Sequence, residues 1–344
     1  MNSLAPPHDL LTLAAASARI GADSLLIQGP GGNTSIKDGG VMWIKASGTN
    51  LADALTRDVF VPCDLAAMRA AMAAGEARAD QPAEFALQKE GLRPSIETSL
   101  HAVFSQRVVV HVHCVNTLAF AVRPDSRLAL ASRLAGFDWA IVPYAKPGAN
   151  LARQVSAVLG PRTDVVVLAN HGLIVAAETV PAAMDLLERV VAAVSATPRY
   201  VPPEAGLAAR QEGGFVALPS DHPLHSVAML PDLLALATSG SLYPDHVIFC
   251  GVGATALLPS ETPSQAVARV AAEGLPAPVF LLVPDRGALL HEEASDGARA
   301  LARCLGDVLL RMQQGSAVQT LTMTENAELL NWDAEKYRQA LNVR

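Results

Sequence analysis

Val108-Val109-Val110-His111-Val112-His113 is a β-branched run in which two of the last three residues are histidine. Such a run favours an extended strand. A strand sends alternate side chains to opposite faces, so His111 and His113 project from one side while Val112 packs on the other. Upstream, Pro94-Ser95-Ile96-Glu97 places a carboxylate one short helical segment before this strand. Downstream, Val165-Val166-Val167-Leu168-Ala169-Asn170-His171-Gly172 carries a third histidine just past another apolar strand. Two imidazoles from one strand supply half or more of the three or four donors that a zinc-type ion takes from a protein. The chain around them alternates helical and extended patterns, which reads as an α/β or α+β domain.

The reading extends in both directions. Leu10 to Ala22 has a helical stripe, Gly29 to Gly32 is a Gly/Pro loop, and Thr34–Ile36 and Val41–Lys45 are strand-like, joined by Asp38-Gly39-Gly40 as a hairpin turn. Asp64 is a helix cap for a segment ending near Ala74, with Gly75 as its stop. Ser95 caps a helix running to about Gln106, which puts Glu97 in a first turn, where the helix dipole favours an anion. Helices are expected at Ser126–Leu134, Asn150–Leu159 and Pro181–Ala196, and strands at Trp139–Tyr144, Asp164–Leu168 and Leu173–Ala176. Three prolines within residues 198–203 mark a linker. The expected division is therefore a domain over 1–200 and a smaller α/β domain over 201–344. The latter should hold a helix at Ser226–Thr238, strands at His246–Cys250, Ala256–Leu258 and Val279–Val283, helices at Pro263–Glu273 and Ser295–Gln313, and a helical tail at Thr324–Leu341.

Bulk properties limit the function. At 344 residues the chain is long enough for two cores. A net charge of −7 and the absence of a Lys/Arg run argue against nucleic acid as a partner. The hydrophobic content of 51% is largely alanine, and apolar runs break before the ~18–20 residues of a membrane span. Met1 to His8 has no basic start followed by an apolar stretch, and the four cysteines, Cys63, Cys114, Cys250 and Cys304, form no CxxC pair. A cytoplasmic protein without membrane partner is expected.

Taken alone, His111 and His113 are equally readable as core histidines satisfied by carbonyls. His171 and Glu97 shift the balance, because three histidines leave open positions on an ion, as catalytic rather than structural sites do. Glu97 by itself reads as an ordinary helix-start glutamate. Gly31-Gly32-Asn33-Thr34-Ser35 and Ala46-Ser47-Gly48-Thr49 are small-residue loops whose amides and hydroxyls can hold an anion, with Lys45 adding charge; otherwise they are two turns. Gly251-Val252-Gly253-Ala254-Thr255-Ala256 matches GxGxxA, but the residues after it look like a strand closed by Pro259, so a turn is expected. Asp221, His222, His225, Asp245 and His246 offer a second metal set, or more plainly loop or domain-contact residues.

Four blocks in order, Gly32-Asn33-Thr34-Ser35, Lys45-Ala46-Ser47-Gly48-Thr49, Pro94-Ser95-Ile96-Glu97 through His111-Val112-His113, and Asn170-His171-Gly172, resemble the class II aldolase/adducin family over roughly residues 10–196. The rest, with Tyr243-Pro244-Asp245-His246-Val247 and Glu325 to Leu330, is similar to the extra region of longer, rhamnulose-phosphate-aldolase-like members. The resemblance implies a three-layer αβα domain with a mostly antiparallel central sheet, and Zn2+ or another divalent metal on His111, His113 and His171. It makes Glu97 the acid/base residue and Asn33, Ser47, Gly48 and Ser95 the phosphate-binding positions. The implied reaction is reversible cleavage of a phosphorylated ketose to dihydroxyacetone phosphate and an aldehyde through an enediolate. The implied assembly is a homo-oligomer, commonly a tetramer. Members often carry two hydroxyl residues before the glutamate. Ile96 stands at the second of these, which weakens one phosphate contact and leaves open a substrate with a different anionic end. Decarboxylases, epimerases and non-catalytic adducin-type modules share the fold, so the fold does not fix the reaction.

Overall fold

The computed structural model describes residues 5–88, 90–203, 207 and 213–332. The chain divides into two compact units, Met1–Thr117 with Arg127–Val194, and Leu118–Ser126 with Ser195–Arg344. Up to residue 194 the elements are α1 (Leu10–Gly21), β1 (Asn33–Asp38), β2 (Val41–Lys45), β3 (Phe60–Asp64), α2 (Leu65–Ala73), α3 (Thr98–Ala102), β4 (Val108–Val112), α4 (Val115–Ala121), α5 (Ser126–Ala131), β5 (Trp139–Val142), α6 (Ala149–Val158), β6 (Val165–Leu168), β7 (Gly172–Ala177) and α7 (Val180–Ala193).

The seven strands make one sheet in the order β3-β2-β1-β4-β7-β6-β5. Neighbours are antiparallel except for β5 and β6, so the sheet is mixed and mostly antiparallel. Helices α2, α3 and α6 form one flanking layer and α1 with α7 the other. Central strands covered on both faces need apolar residues at every position. Val108, Val109, Val110 and Val112 in β4, and Val165 to Val167 in β6, are buried accordingly. One core cluster joins Leu100, Phe104, Val109, Leu151, Val155, Val166 and Ile174, which ties α3 and α6 to the sheet.

Local chemistry sets the joints. The β1–β2 hairpin closes with Asp38 opposite Val41, and Gly39 and Gly40 supply positive φ at both turn positions. Asp64 caps α2 by accepting from the Ala67 N–H. The expected helix from Ser95 to Gln106 is shorter: α3 covers Thr98–Ala102, and Glu97 sits at its N-cap without a side-chain capping bond. A five-residue helix is too short to be stable by itself, so its placement rests on tertiary contacts.

The second unit contains β8 (Phe215–Ala217), α8 (Pro223–Met229), α9 (Pro231–Thr238), α10 (Pro244–Cys250), β9 (Thr255–Ala256), α11 (Pro263–Ala272), β10 (Phe280–Val283), β11 (Gly287–His291), α12 (Asp296–Leu310) and α13 (Met323–Leu330). Its four strands are ordered β8-β11-β10-β9, with β9 parallel to β10. Two expectations are corrected. His246–Cys250 is helical rather than extended: every residue of α10 is buried, so the short run carries no buried–exposed period to tell helix from strand. The helix expected over Ser226–Thr238 breaks at Leu230, whose extended φ of −108° and ψ of 107° are what a following proline, Pro231, imposes. Residues 333–341 of the expected helical tail lie outside the described residues. No helix among the described residues is long and apolar enough to cross a membrane.

Candidate metal centre and active site

His111 lies on β4 directly opposite Asn33 of β1. His113 follows two residues later, and His171 closes the three-residue turn between β6 and β7, where Leu168 pairs with Gly172. That turn needs one left-handed residue, and Asn170 provides it with φ 55°. The hairpin can sit close to β4 because position 172 has no side chain. A Cβ at Gly172 would lie 2.5 Å from the Val112 carbonyl oxygen, 3.2 Å from His111 Cε1 and 3.3 Å from His113 Cδ2.

The result is three buried imidazoles with ligand atoms within 4.8 Å of one another. His113 Nε2 is 3.2 Å from His111 Nε2. Glu97 completes the group, with Oε2 3.5 Å from His111 Nε2 and Oε1 3.3 Å from His171 Nε2. Donors at about 2.0–2.2 Å from a tetrahedral ion are separated by about 3.3–3.5 Å. The three separations of 3.2, 3.3 and 3.5 Å are close to such edges. The His111 ring is also oriented as a ligand. Its Nδ1 is 3.1 Å from the Leu173 carbonyl oxygen, which selects the Nδ1–H tautomer and leaves the Nε2 lone pair facing the other donors. Glu97 Oε1 is buried and accepts no hydrogen bond, with His171 Nε2 3.3 Å away, an anion edge that a cation would satisfy. On these grounds the residues fit a divalent ion.

Glu97 is held otherwise by Asn33, whose Nδ2 donates to Oε2 at 2.8 Å and to Ser95 Oγ at 3.3 Å. Burial alone would raise this carboxyl, but His111, His171 and His113, with the Asn33 amide, outweigh it and lower the pKa to about 2. The cause is thus the imidazole cluster and Asn33, not a helix first turn. The anion loops run beside this group. The Ser47 N–H donates to the Arg93 carbonyl and the Ser95 N–H to the Lys45 carbonyl, which lays Lys45 to Gly48 alongside Pro94 and Ser95. Gly48 has φ 74°, a conformation for which glycine is suited. Ser95 Oγ accepts from the Glu97 N–H and from Asn33, so its own hydroxyl proton is the donor left for a ligand.

Lys45, expected as an added charge for an anion, is buried and donates instead to the carbonyls of Pro30 and Gly32, holding the Gly/Pro loop in place. The histidines of the second candidate set have structural partners. His222 caps α8, His225 bridges the carbonyls of Leu218 and Pro219 and the Ala288 N–H, and His246 meets the Gly253 carbonyl. They sit in or at the ends of helices rather than loops. Gly251 to Ala254 is a connection between α10 and β9, not a strand-to-helix turn.

Residues 12–197, more than half of the chain, match the family described as Class II Aldolase and Adducin N-terminal domain. The chain belongs to this family. A curated relative, "Uncharacterized oxidoreductase YuxG" of Bacillus subtilis (strain 168), is 28% identical over an alignment of 191 residues, with 50% of this chain and 27% of that protein covered. The chain thus spans about a quarter of the length of that relative. Among solved structures, the N-terminal class II aldolase domain of a conserved protein from Thermoplasma acidophilum is 27% identical with a TM-score of 0.49, over 56% of this chain and 95% of that one. L-fuculose-1-phosphate aldolase from Thermus thermophilus is 20% identical with a TM-score of 0.37, over 53% and 91% respectively. In this class II aldolase family member the sequence blocks expected to carry chemistry converge. Ser35, expected in an anion-holding loop, lies on β1 and meets His101 Nδ1 at 2.7 Å, and Lys37 and His101 were not anticipated. The signal on β1, polar residues at alternate positions 33, 35 and 37, is the pattern of a solvated strand face.

Proposed function

We propose that this family member is a metal-dependent class II aldolase that reversibly cleaves a phosphorylated ketose to dihydroxyacetone phosphate and an aldehyde. The observation that supports the reading is the Glu97 carboxylate, buried and tethered by Asn33, within 3.5 Å of two of the three clustered imidazoles. In this reading His111, His113 and His171 are the metal ligands. A divalent ion held there, zinc or a similar metal, supplies positive charge beside the oxygens of the ketose. Glu97 moves the proton: it takes it from the carbon next to the ketone in the synthetic direction and returns it to that carbon on cleavage. Asn33, Ser47, Gly48 and Ser95 take the phosphate, with the Ser95 hydroxyl proton and the loop amides as donors.

The same proposal assigns catalysis to residues 1–200 and leaves 201–344 as a second domain, in a cytoplasmic homo-oligomer. The test is metal analysis of protein purified without chelators, coupled to a screen of ketose phosphates and sugar acid phosphates. Aldehyde release from a ketose phosphate is the expected result. Carbon dioxide, or an isomer of unchanged mass, would make the enzyme a decarboxylase or an epimerase instead, and protein without bound metal would favour a non-catalytic module. His113→Ala should lose both metal and turnover, and a variant that keeps stoichiometric metal and full activity refutes the ligand assignment.

A further inference from the structure

β1 presents Asn33, Ser35 and Lys37 on one face, at alternate positions of an inner strand, and all three are buried. Inner strands flanked by helices normally place aliphatic residues at such positions. A buried ammonium in particular is costly unless it is fully hydrogen-bonded. Each of the three finds its partner on one short stretch of chain. Asn33 Nδ2 donates to Glu97 at 2.8 Å, Ser35 Oγ is 2.7 Å from His101 Nδ1, and Lys37 Nζ donates to the carbonyls of Phe104 at 2.7 Å and Gln106 at 2.8 Å.

The spacing is commensurate. Two strand residues advance about 6.8 Å, and the four residues from Glu97 to His101 advance about 6 Å along a helix. The first two contacts therefore engage in register, and Lys37 takes the carbonyls where the helix has ended. Arg69 from α2 joins Lys37 there, donating to the carbonyls of Ala102 and Phe104. A helix as short as α3 does not hold its own position. The apolar packing of Leu100 and Phe104 holds it against the sheet, and these ties match it to β1 residue by residue, at the register that places Glu97 beside the imidazoles.

We infer that Ser35 and Lys37 are positioning residues for Glu97: with Asn33 they form a polar rail on β1 that sets α3 at one register and aims the carboxylate at His111 and His171. The inference rests on the proposed role of Glu97, but its first readout does not require the aldolase reaction. The probe is cobalt(II), loaded into wild-type protein, Ser35→Ala, Lys37→Met and the reference variant Glu97→Gln. The imidazoles stand on other elements, so the rail variants should retain stoichiometric cobalt, while their visible d–d spectra move from the wild-type form toward that of Glu97→Gln. On whichever substrate the screen identifies, kcat should fall at least tenfold with KM changed less than twofold. Rail variants with wild-type spectra and wild-type kcat overturn the inference. So do variants whose activity falls only in proportion to lost metal or lost fold, since that is support without positioning. If Lys37→Met does not fold, Ser35→Ala, which removes one oxygen atom, carries the test. If the rail variants show the spectral response but wild-type protein turns over no substrate, the aldolase reading is refuted and the rail stands.

Discussion

Single residues in this site have separable roles, and substitution should separate them. Glu97→Gln keeps the shape of the side chain and its contact with Asn33 but removes the proton acceptor. The expected result is retained metal with kcat lowered by about 10²–10⁴, the usual contribution of a general acid–base group, measured by metal content and steady-state kinetics. Gly172→Ala keeps every ligand but crowds the backbone and two ligand rings, those of His111 and His113. Its methyl would lie 2.5 Å from the Val112 carbonyl oxygen, so the β6–β7 hairpin must retreat and carry His171 with it. Metal affinity should fall by about 10–100-fold, the range seen when groups supporting ligands are disturbed, as read by competition with a chromophoric chelator. Lys37 gives a pH signature. Burial, then repulsion from Arg69, lowers it from 10.5 to about 7, with Glu178 opposing. Between these values the unfolded chain binds more protons than the folded one, so stability is greatest above the unfolded pKa and is lost as pH falls toward 7. The stability of wild type relative to Lys37→Met should therefore rise from pH 7 to pH 9, by up to about 1.4 kcal/mol per pH unit, in urea titrations at both values. No change in that difference would place the Lys37 amine in a less buried setting.

At the scale of elements, the short helix α3 is the weak link between sheet and site. Leu100 is fully buried in the cluster that joins α3 to α6 and the sheet. Leu100→Ala should cost about 2–5 kcal/mol of stability, measured by denaturant unfolding. A cost near zero would mean that α3 is not packed as described. The elements also show what kind of information a sequence holds. β1, β2, β4, β6 and β7 were legible because valine-rich runs and a two-glycine hairpin dictate local geometry. The length of α3 was not, because its helical pattern continues past Ala102 while Lys37 and Arg69 take the carbonyls where it stops. The helical state of His246–Cys250 was hidden for a different reason, since burial on all sides erases periodicity.

Across the whole molecule, metal binding should be visible as stability of the unit that holds the histidines. A ligand bound only by the folded state adds about 2.7 kcal/mol at a hundredfold excess over Kd. Trp43 and Trp139 lie in the first unit and Trp332 in the second. In a Trp332→Phe variant, fluorescence melting therefore reports on the first unit alone, and chelation should lower its Tm while adding zinc restores it. A transition unmoved by chelation would argue against a site within this unit. The sequence by itself determined the order of the chemical blocks, the strand that presents His111 and His113, and the turn that carries His171, because each depends on near neighbours in the chain. Only the tertiary structure decided that Glu97 meets those imidazoles, that Lys45 ties down a loop, and that Ser35 and Lys37 face the α3 segment rather than water. Those facts depend on which strands pair and which helix covers them, and a polar residue at alternate positions reads the same whether its partner is solvent or another part of the fold.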